Sequence, residues 1–208
     1  LKFRQAIQAA LDLDQVMAGG TDGLYQLDHS WLWPGNSFYS EAGKELYDIN
    51  NAKRAKVLLQ ASGYKHEPVH FVISNVSFHI KFGTIIVEQL RAIGLNIKPV
   101  MVDLATLVAV TQSDRGWHLA INGFRSAPFL GAYAYEPILS GPSNWARIKH
   151  DPAMQNAWNI FNTSMDENIR KESWSEIQML TYANVQTVKL GNQGFLIGAS
   201  TSLKGYRP

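Results

Sequence analysis

Residues 69–102 read VHFVISNVSFHIKFGTIIVEQLRAIGLNIKPVMV, and this stretch decides the fold. Val69 to Ile73 is a short run rich in β-branched and aromatic residues, which predicts a strand. From about His79 to Ile93, Phe82, Ile85, Ile86, Leu90 and Ile93 recur at helical spacing, and Gly94 supplies the stop. Asn96 to Val102 predicts a second strand. The alternation continues with a helix over Leu104–Gln112, capped by Asp103, and a third strand over Trp117–Asn122 (WHLAIN). Parallel strands need a crossover, and a helix is the usual one. Strand–helix–strand–helix–strand in this order therefore predicts an α/β fold, a mixed sheet with parallel pairs covered by helices.

The flanks extend that unit. A helix is expected over residues 3–11, with Phe3, Ile7, Ala10 and Leu11 on one face. Neither Leu1 nor Lys2 can cap it, so the expectation is a chain cut from a longer protein. Asp12 or Asp14 opens a second helix that Gly19-Gly20 would end. Residues 21–41 show little periodicity and many turn formers. Asn50 or Asn51 caps a helix with the stripe Ala55, Leu58, Leu59 and Ser62, stopped by Gly63. After a loop-rich segment at 123–149, Asp151-Pro152 opens a helix with the stripe Met154, Trp158 and Phe161. A longer helix runs from Glu167 to about Asn184, with Ile169, Trp174, Ile177, Leu180 and Tyr182 expected inside. Short strands are expected at Thr187–Leu190 and Phe195–Ala199, and Leu203–Tyr206 should lead out of the domain. The whole of 1–208 reads as a single α/β lobe.

Composition narrows the function. With 46% hydrophobic and 17% charged residues the chain is an ordered globular protein. A net charge of +2 is too small to argue for nucleic acid or an anionic membrane. The absence of cysteine excludes disulfide and thiolate chemistry and suits an oxidising compartment. No segment approaches the ~18 apolar residues of a bilayer span, so no membrane insertion is expected. There is no Gly-x-Gly-x-x-Gly and no phosphate-cradling loop with Lys, which leaves nucleotide cofactors without support. The histidines at 29, 66, 70, 79, 118 and 150 carry no helical metal-ligand motif, so no metal is expected. Asp28-His29-Ser30 has the residue types of a hydrolytic triad, but neighbouring side chains on extended backbone diverge. No catalysis and no cofactor are expected.

Candidate ligand contacts follow from position. Asn122, Phe124, Arg125 and Ser126 come directly after the third strand, where α/β folds usually place ligand contacts. The plainer alternative is a connecting loop with a surface Arg and a packed Phe. Trp31 and Trp33 alternate in SWLWP and so share a side in extended backbone. They would either stack on a ligand or pack the long loop onto its own lobe, and the need of such a loop for anchors favours packing. Phe129, Tyr133 and Tyr135 either line a cleft or cover the later helices.

Five pieces in one order resemble a known family. They are RQAIQAALD at 4–12, AKVLLQASGY at 55–64, VEQLRAIGLNIKPV at 87–100, GWHLAINGF at 116–124 and DENIRKESWSEIQ at 166–178. Together they are similar to the second, C-terminal lobe of the extracytoplasmic solute-binding proteins (family 5) of peptide- and nickel-type ABC importers. The resemblance implies a periplasmic or extracytoplasmic receptor of two lobes that close over a small-molecule or peptide solute. It implies ABC permease subunits and the missing first lobe as partners, and no nucleic acid. An effector-sensing lobe of a transcriptional regulator is the alternative, separable by what precedes residue 1. In peptide-binding members an Asp beyond the Gly-Trp pairs with the peptide's amino terminus. Here the run is Gly123-Phe124-Arg125-Ser126-Ala127-Pro128, with Phe124 at the aromatic position and Ala127 at that of the acid. A buried ammonium without a carboxylate is costly, whereas Arg125 can fork onto a carboxylate or phosphate. The resemblance thus implies an anionic or neutral solute rather than a free-amine peptide.

Overall fold

The computed structural model describes residues 1–113, 115–124, 131–139, 151–194, 196, 198–200 and 202–205. Its centre is the stretch that opened the sequence reading. Strand β2 (Val69–Ser74) is the middle of a three-stranded parallel sheet, with β3 (Ile97–Val102) on one side and β4 (Leu119–Ala120) on the other. Val69 pairs with Ile97 and Ser74 with Val102, while Phe71 pairs with Leu119. Helix α4 (Ser77–Ala92) makes the crossover from β2 to β3, and α5 (Leu104–Thr111) that from β3 to β4. All of β2 except half-buried His70 is buried, as a strand covered on both faces must be. Strand β3 is the exposed edge, where Lys98 and Pro99 discourage further pairing.

Three earlier helices pack around this unit. Helix α1 (Lys2–Ala10) lies against α3 (Ala52–Ala61), and α2 (Leu13–Thr21) lies against α4. The expected caps are in place: the side chain of Asp12 accepts from Gln15 N, Asn51 from Arg54 N, and Asp103 from Thr106 N. Helix α1 has no side-chain cap. Gly63 and Gly94 follow α3 and α4 with φ of +77° and +99°, which L side chains resist.

The expectation that Gly19-Gly20 ends α2 is corrected. Both lie inside the helix, which runs to Thr21 and stops with Asp22 in the left-handed conformation. The pair serves packing: a Cβ on Gly20 would lie 2.1 Å from the ring of Phe82, and one on Gly19 would meet Ile85. Glycine here lets α2 and α4 approach closely.

A second cluster, built from aromatic residues, forms on α6 (Pro152–Thr163) and α7 (Glu167–Asn184), the two helices packing on each other. Met154, Trp158 and Phe161 are buried as expected, with Trp174, Ile177 and Tyr182. Leu180 is half-buried, and Ile169, expected inside, is 45% exposed in the first turn of α7.

The C-terminal strands also differ from expectation. Residues 187–190 are irregular, and the strand is β5 (Asn192–Gln193), antiparallel to β1 (Tyr25–Gln26) in a separate ladder. Leu196 and residues 198–199 are not in a strand, and neither are residues 203–205. The third strand of the parallel sheet spans only Leu119–Ala120 of the expected 117–122, although the flanking His118 N and Ile121 N still donate to the carbonyls of His70 and Val72 on β2. Phe195, Ile197 and Tyr206 lie outside the described residues.

Candidate functional site

Parallel strands carry their backbones out at one end, and the loops that follow β2, β3 and β4 meet there. They enclose a groove of about 450 Å³. Val76, Phe78 and His79 come from the β2–α4 junction, Leu104, Val108 and Gln112 from α5, and Asn122, Gly123 and Phe124 from the exit of β4. The lining is mainly apolar: Phe124 is 43% exposed, and Leu104 and Val108 also show large exposed surfaces. Asn122 folds its Oδ1 back to accept from Gly123 N at 2.9 Å, which shapes the turn and leaves its amide NH2 for other work. Among the described lining residues there is no carboxylate and no formal cation.

The polar group set deepest in this wall is His79. Its ring is 3% exposed and packs edge-on to Phe78, with centroids 4.4 Å apart. Nδ1 lies 2.6 Å from Ser74 Oγ, at the end of β2, while Nε2 is buried without a hydrogen-bond partner among the described residues. Burial pushes the imidazole pKa below its ordinary value, since the charged form would be desolvated. In the sequence His79 is one of six histidines and stands near the expected start of a helix, with no pattern that marks it as a ligand contact. The available signal was position, because a polar residue in the first turn after a buried parallel strand sits where α/β folds collect ligands.

Of the residues nominated from sequence, Asn122 and Phe124 line the groove. Arg125, Ser126, Ala127 and Phe129 lie outside the described residues. Trp31 and Trp33 are placed elsewhere, in the aromatic cluster. The Trp31 indole is 7% exposed and lies edge-on to Tyr135 at 5.5 Å, and Trp33 packs half-buried on the same cluster. Their reason is apolar burial: they pin residues 27–40 onto α6 and α7. Tyr133 and Tyr135 also cover these helices, the ring of Tyr133 lying tilted 5.1 Å from that of Phe161.

The Asp28-His29-Ser30 run is an anchor as well. Asp28 Oδ1 accepts from Ser30 N at 2.9 Å, and Tyr182 Oη donates to the carbonyl of His29. Lys189 Nζ, buried, donates to the carbonyls of Asp28 and Ser30, and burial lowers its pKa to about 8. These bonds occupy the run in holding two cores together. Among the described residues no group of three or more His, Asp or Glu is placed to hold a metal ion.

Comparison with known proteins gives this arrangement its context. The family described as bacterial extracellular solute-binding proteins, family 5 Middle, matches residues 1–146. The chain belongs to that family. It is a non-catalytic, extracytoplasmic family of transport proteins, and none of the described helices is long and apolar enough to cross a membrane. The substrate-binding protein CtaP of Listeria monocytogenes is similar in structure, with a TM-score of 0.78 at 18% identity over 92% of this chain and 40% of that one. A dipeptide-binding protein of a Pseudoalteromonas species, in complex with Met-Leu, gives 0.72 at 20% identity over 89% of this chain and 38% of its own. The periplasmic binding protein MelB of Agrobacterium fabrum, in complex with stachyose, gives 0.76 at 17% identity over 93% and 34%. Identities this low establish a shared fold, the periplasmic-binding-protein-like α/β lobe. The family 5 chain spans about 40% of the length of the first of these structures.

Proposed function

We propose that this chain is one gripping lobe of the solute receptor of an ABC importer. It holds a small solute, peptide-like or an organic anion, in a cleft that a second lobe completes, and the closed receptor presents the solute to permease subunits. The observation that carries this reading is the groove where three parallel strands end, the place at which open α/β sheets receive ligands. Closure follows from differential contact: a solute touching both lobes stabilises only the state in which they meet. Energy for transport comes from the importer's ATPase, and this chain supplies recognition.

The wall supports a solute with an apolar body. Phe78, Leu104, Val108 and Phe124 offer carbon surface, and a solute ammonium would find no carboxylate among the described lining residues. Asn122 and Phe124, which line this groove, are proposed solute contacts, as are Arg125 and Ser126, the next two residues of the chain, which lie outside the described residues. One relative is crystallised with a dipeptide and another with an oligosaccharide, so the fold by itself leaves the solute class open.

Calorimetric titration of the chain with Met-Leu, stachyose and benzoate tests the reading. Weak binding, in the high-micromolar to millimolar range, is expected from a lobe that makes only part of the contacts. Sub-micromolar affinity would contradict the shared cleft, and no detectable binding of all three at millimolar concentration would count against a solute groove.

A further inference from the structure

The groove holds a hydrogen-bonding atom that the protein itself leaves unused. His79 Nε2 is buried and has no partner among the described residues, although its ring is held by Ser74. A buried polar atom without a partner is costly, and for one held beside a groove a ligand that enters the groove supplies the partner.

Which proton the ring carries follows from Ser74. Its hydroxyl is fully buried and accepts from Val76 N at 3.4 Å. The hydroxyl proton then needs an acceptor, and Nδ1 at 2.6 Å is the one in reach. With Nδ1 accepting, an uncharged imidazole carries its proton on Nε2 and offers a donor. Burial favours that uncharged ring.

Two further features bear on the donor. A Cβ built on Gly123 would lie 3.8 Å from His79 Nε2 and 3.5 Å from Phe78 Cε2, both ordinary contacts. Glycine here puts no side chain over the nitrogen, which lies just beneath the groove wall. In addition, α4 begins at Ser77 beside the groove with no side-chain cap, whereas the neighbouring α5 is capped by Asp103. The free amides at the start of α4 put partial positive charge on the same wall.

We infer that His79 is a specificity-determining residue of the groove, whose Nε2–H, held by Ser74 and with no side chain over it at Gly123, donates to a carbonyl or carboxylate oxygen of a solute that presses into the wall, while the solute's apolar body lies on Phe78 and Phe124. This rests on the solute-groove reading and goes beyond it, because it assigns the polar handle a solute must carry. Both oxygen types offer the same lone pairs. An amine offers none in its charged form and is excluded.

The test uses three probes of one shape, benzamide, benzoate and benzylamine, titrated into the chain while ring-nitrogen and backbone-amide signals are followed by NMR. In the free protein His79 should show a protonated Nε2 and an unprotonated Nδ1 at neutral pH. Benzamide, benzoate or both should shift the Nε2 signal, the stronger of the two telling a neutral oxygen from an anionic one, and benzylamine should not. His79→Phe keeps the ring volume and removes the donor, and should weaken the oxygen probes about tenfold. His79→Gln, whose amide nitrogen can occupy the place of Nε2, should recover much of that loss, and Gly123→Ala should weaken them while the ring tautomer is unchanged. Oxygen probes that shift the groove amides equally in the parent and in His79→Phe would overturn the role of His79 alone. If no probe shifts the groove amides, the site reading fails with it.

Discussion

Two cores hold this molecule, and they are built on different principles. The first is largely aliphatic and gathers α1–α4 onto the parallel sheet through Ile7, Val16, Ile73, Ile86, Leu90 and Ile97. The second is aromatic: Trp31, Tyr135, Trp158, Phe161 and Trp174 form a chain of edge-on and tilted ring contacts against α6 and α7. The aliphatic core uses regular elements in sequence order and ends in a groove. The aromatic core organises residues far apart in the chain, and its polar groups are turned inward to hold a loop.

Gln178 shows how. It is fully buried, donates to the carbonyls of Ser40 and Ala42, and accepts from Trp31 N at 3.1 Å. With Asp166, Arg170 and Trp174 it forms a four-residue spacing along one face of α7. Asp166 caps the helix, Arg170 lies over the rings of Phe38 and Phe161 at 5.2 and 4.8 Å, and Trp174 fills the core. The difference between the regions is one of task. The sheet region aims side chains at a cleft, and the helical pair spends its polar and aromatic groups on scaffold.

Substitutions can break this contrast. Trp174→Ala should have the largest effect, a loss of about 3–5 kcal/mol in urea unfolding, because the ring is fully buried among other rings. Gln178→Leu should follow at about 2–4 kcal/mol, since it strands the loop's amide and two carbonyls, and proteolysis should then cut first within residues 30–42. Gly20→Ala should cost about 1–3 kcal/mol by forcing α2 from Phe82, an overpacking loss confined to the aliphatic region. The smallest effect concerns pH. His79 stays uncharged in the fold, while the unfolded chain binds a proton below its ordinary value of 6.5. Stability from this residue is complete above that value and falls as pH drops from 6.5 toward the lowered native value, so His79→Gln should flatten that part of a urea-midpoint profile.

The sheet region was legible in the sequence because its signals are local. Capping Asp and Asn residues, stripes at helical spacing and stop glycines each act within a few residues, and they placed α3, α4, α5, β2 and β3 closely. The misread parts depend on distant partners. Gly19-Gly20 looks like a stop until Phe82, sixty residues on, shows that the pair is a packing surface. β5 is defined by β1, far away in sequence, and Trp31 by helices that begin beyond residue 150. The candidate groove was legible only in part. Asn122 and Phe124, nominated from their place after a strand, line it, whereas His79 needed the geometry of Ser74 and its place beside Gly123 to stand apart from the other histidines.

Mapping backbone-amide shifts while benzoate and Met-Leu are added to the labelled chain tests most directly which of the two regions faces solute. Shifts concentrated on Val76–His79, Leu104, Val108 and Asn122–Phe124 are expected. Shifts centred instead on Trp31, Trp158 and Trp174, with the strand-end residues unmoved, would contradict a division of the molecule into gripping face and scaffold.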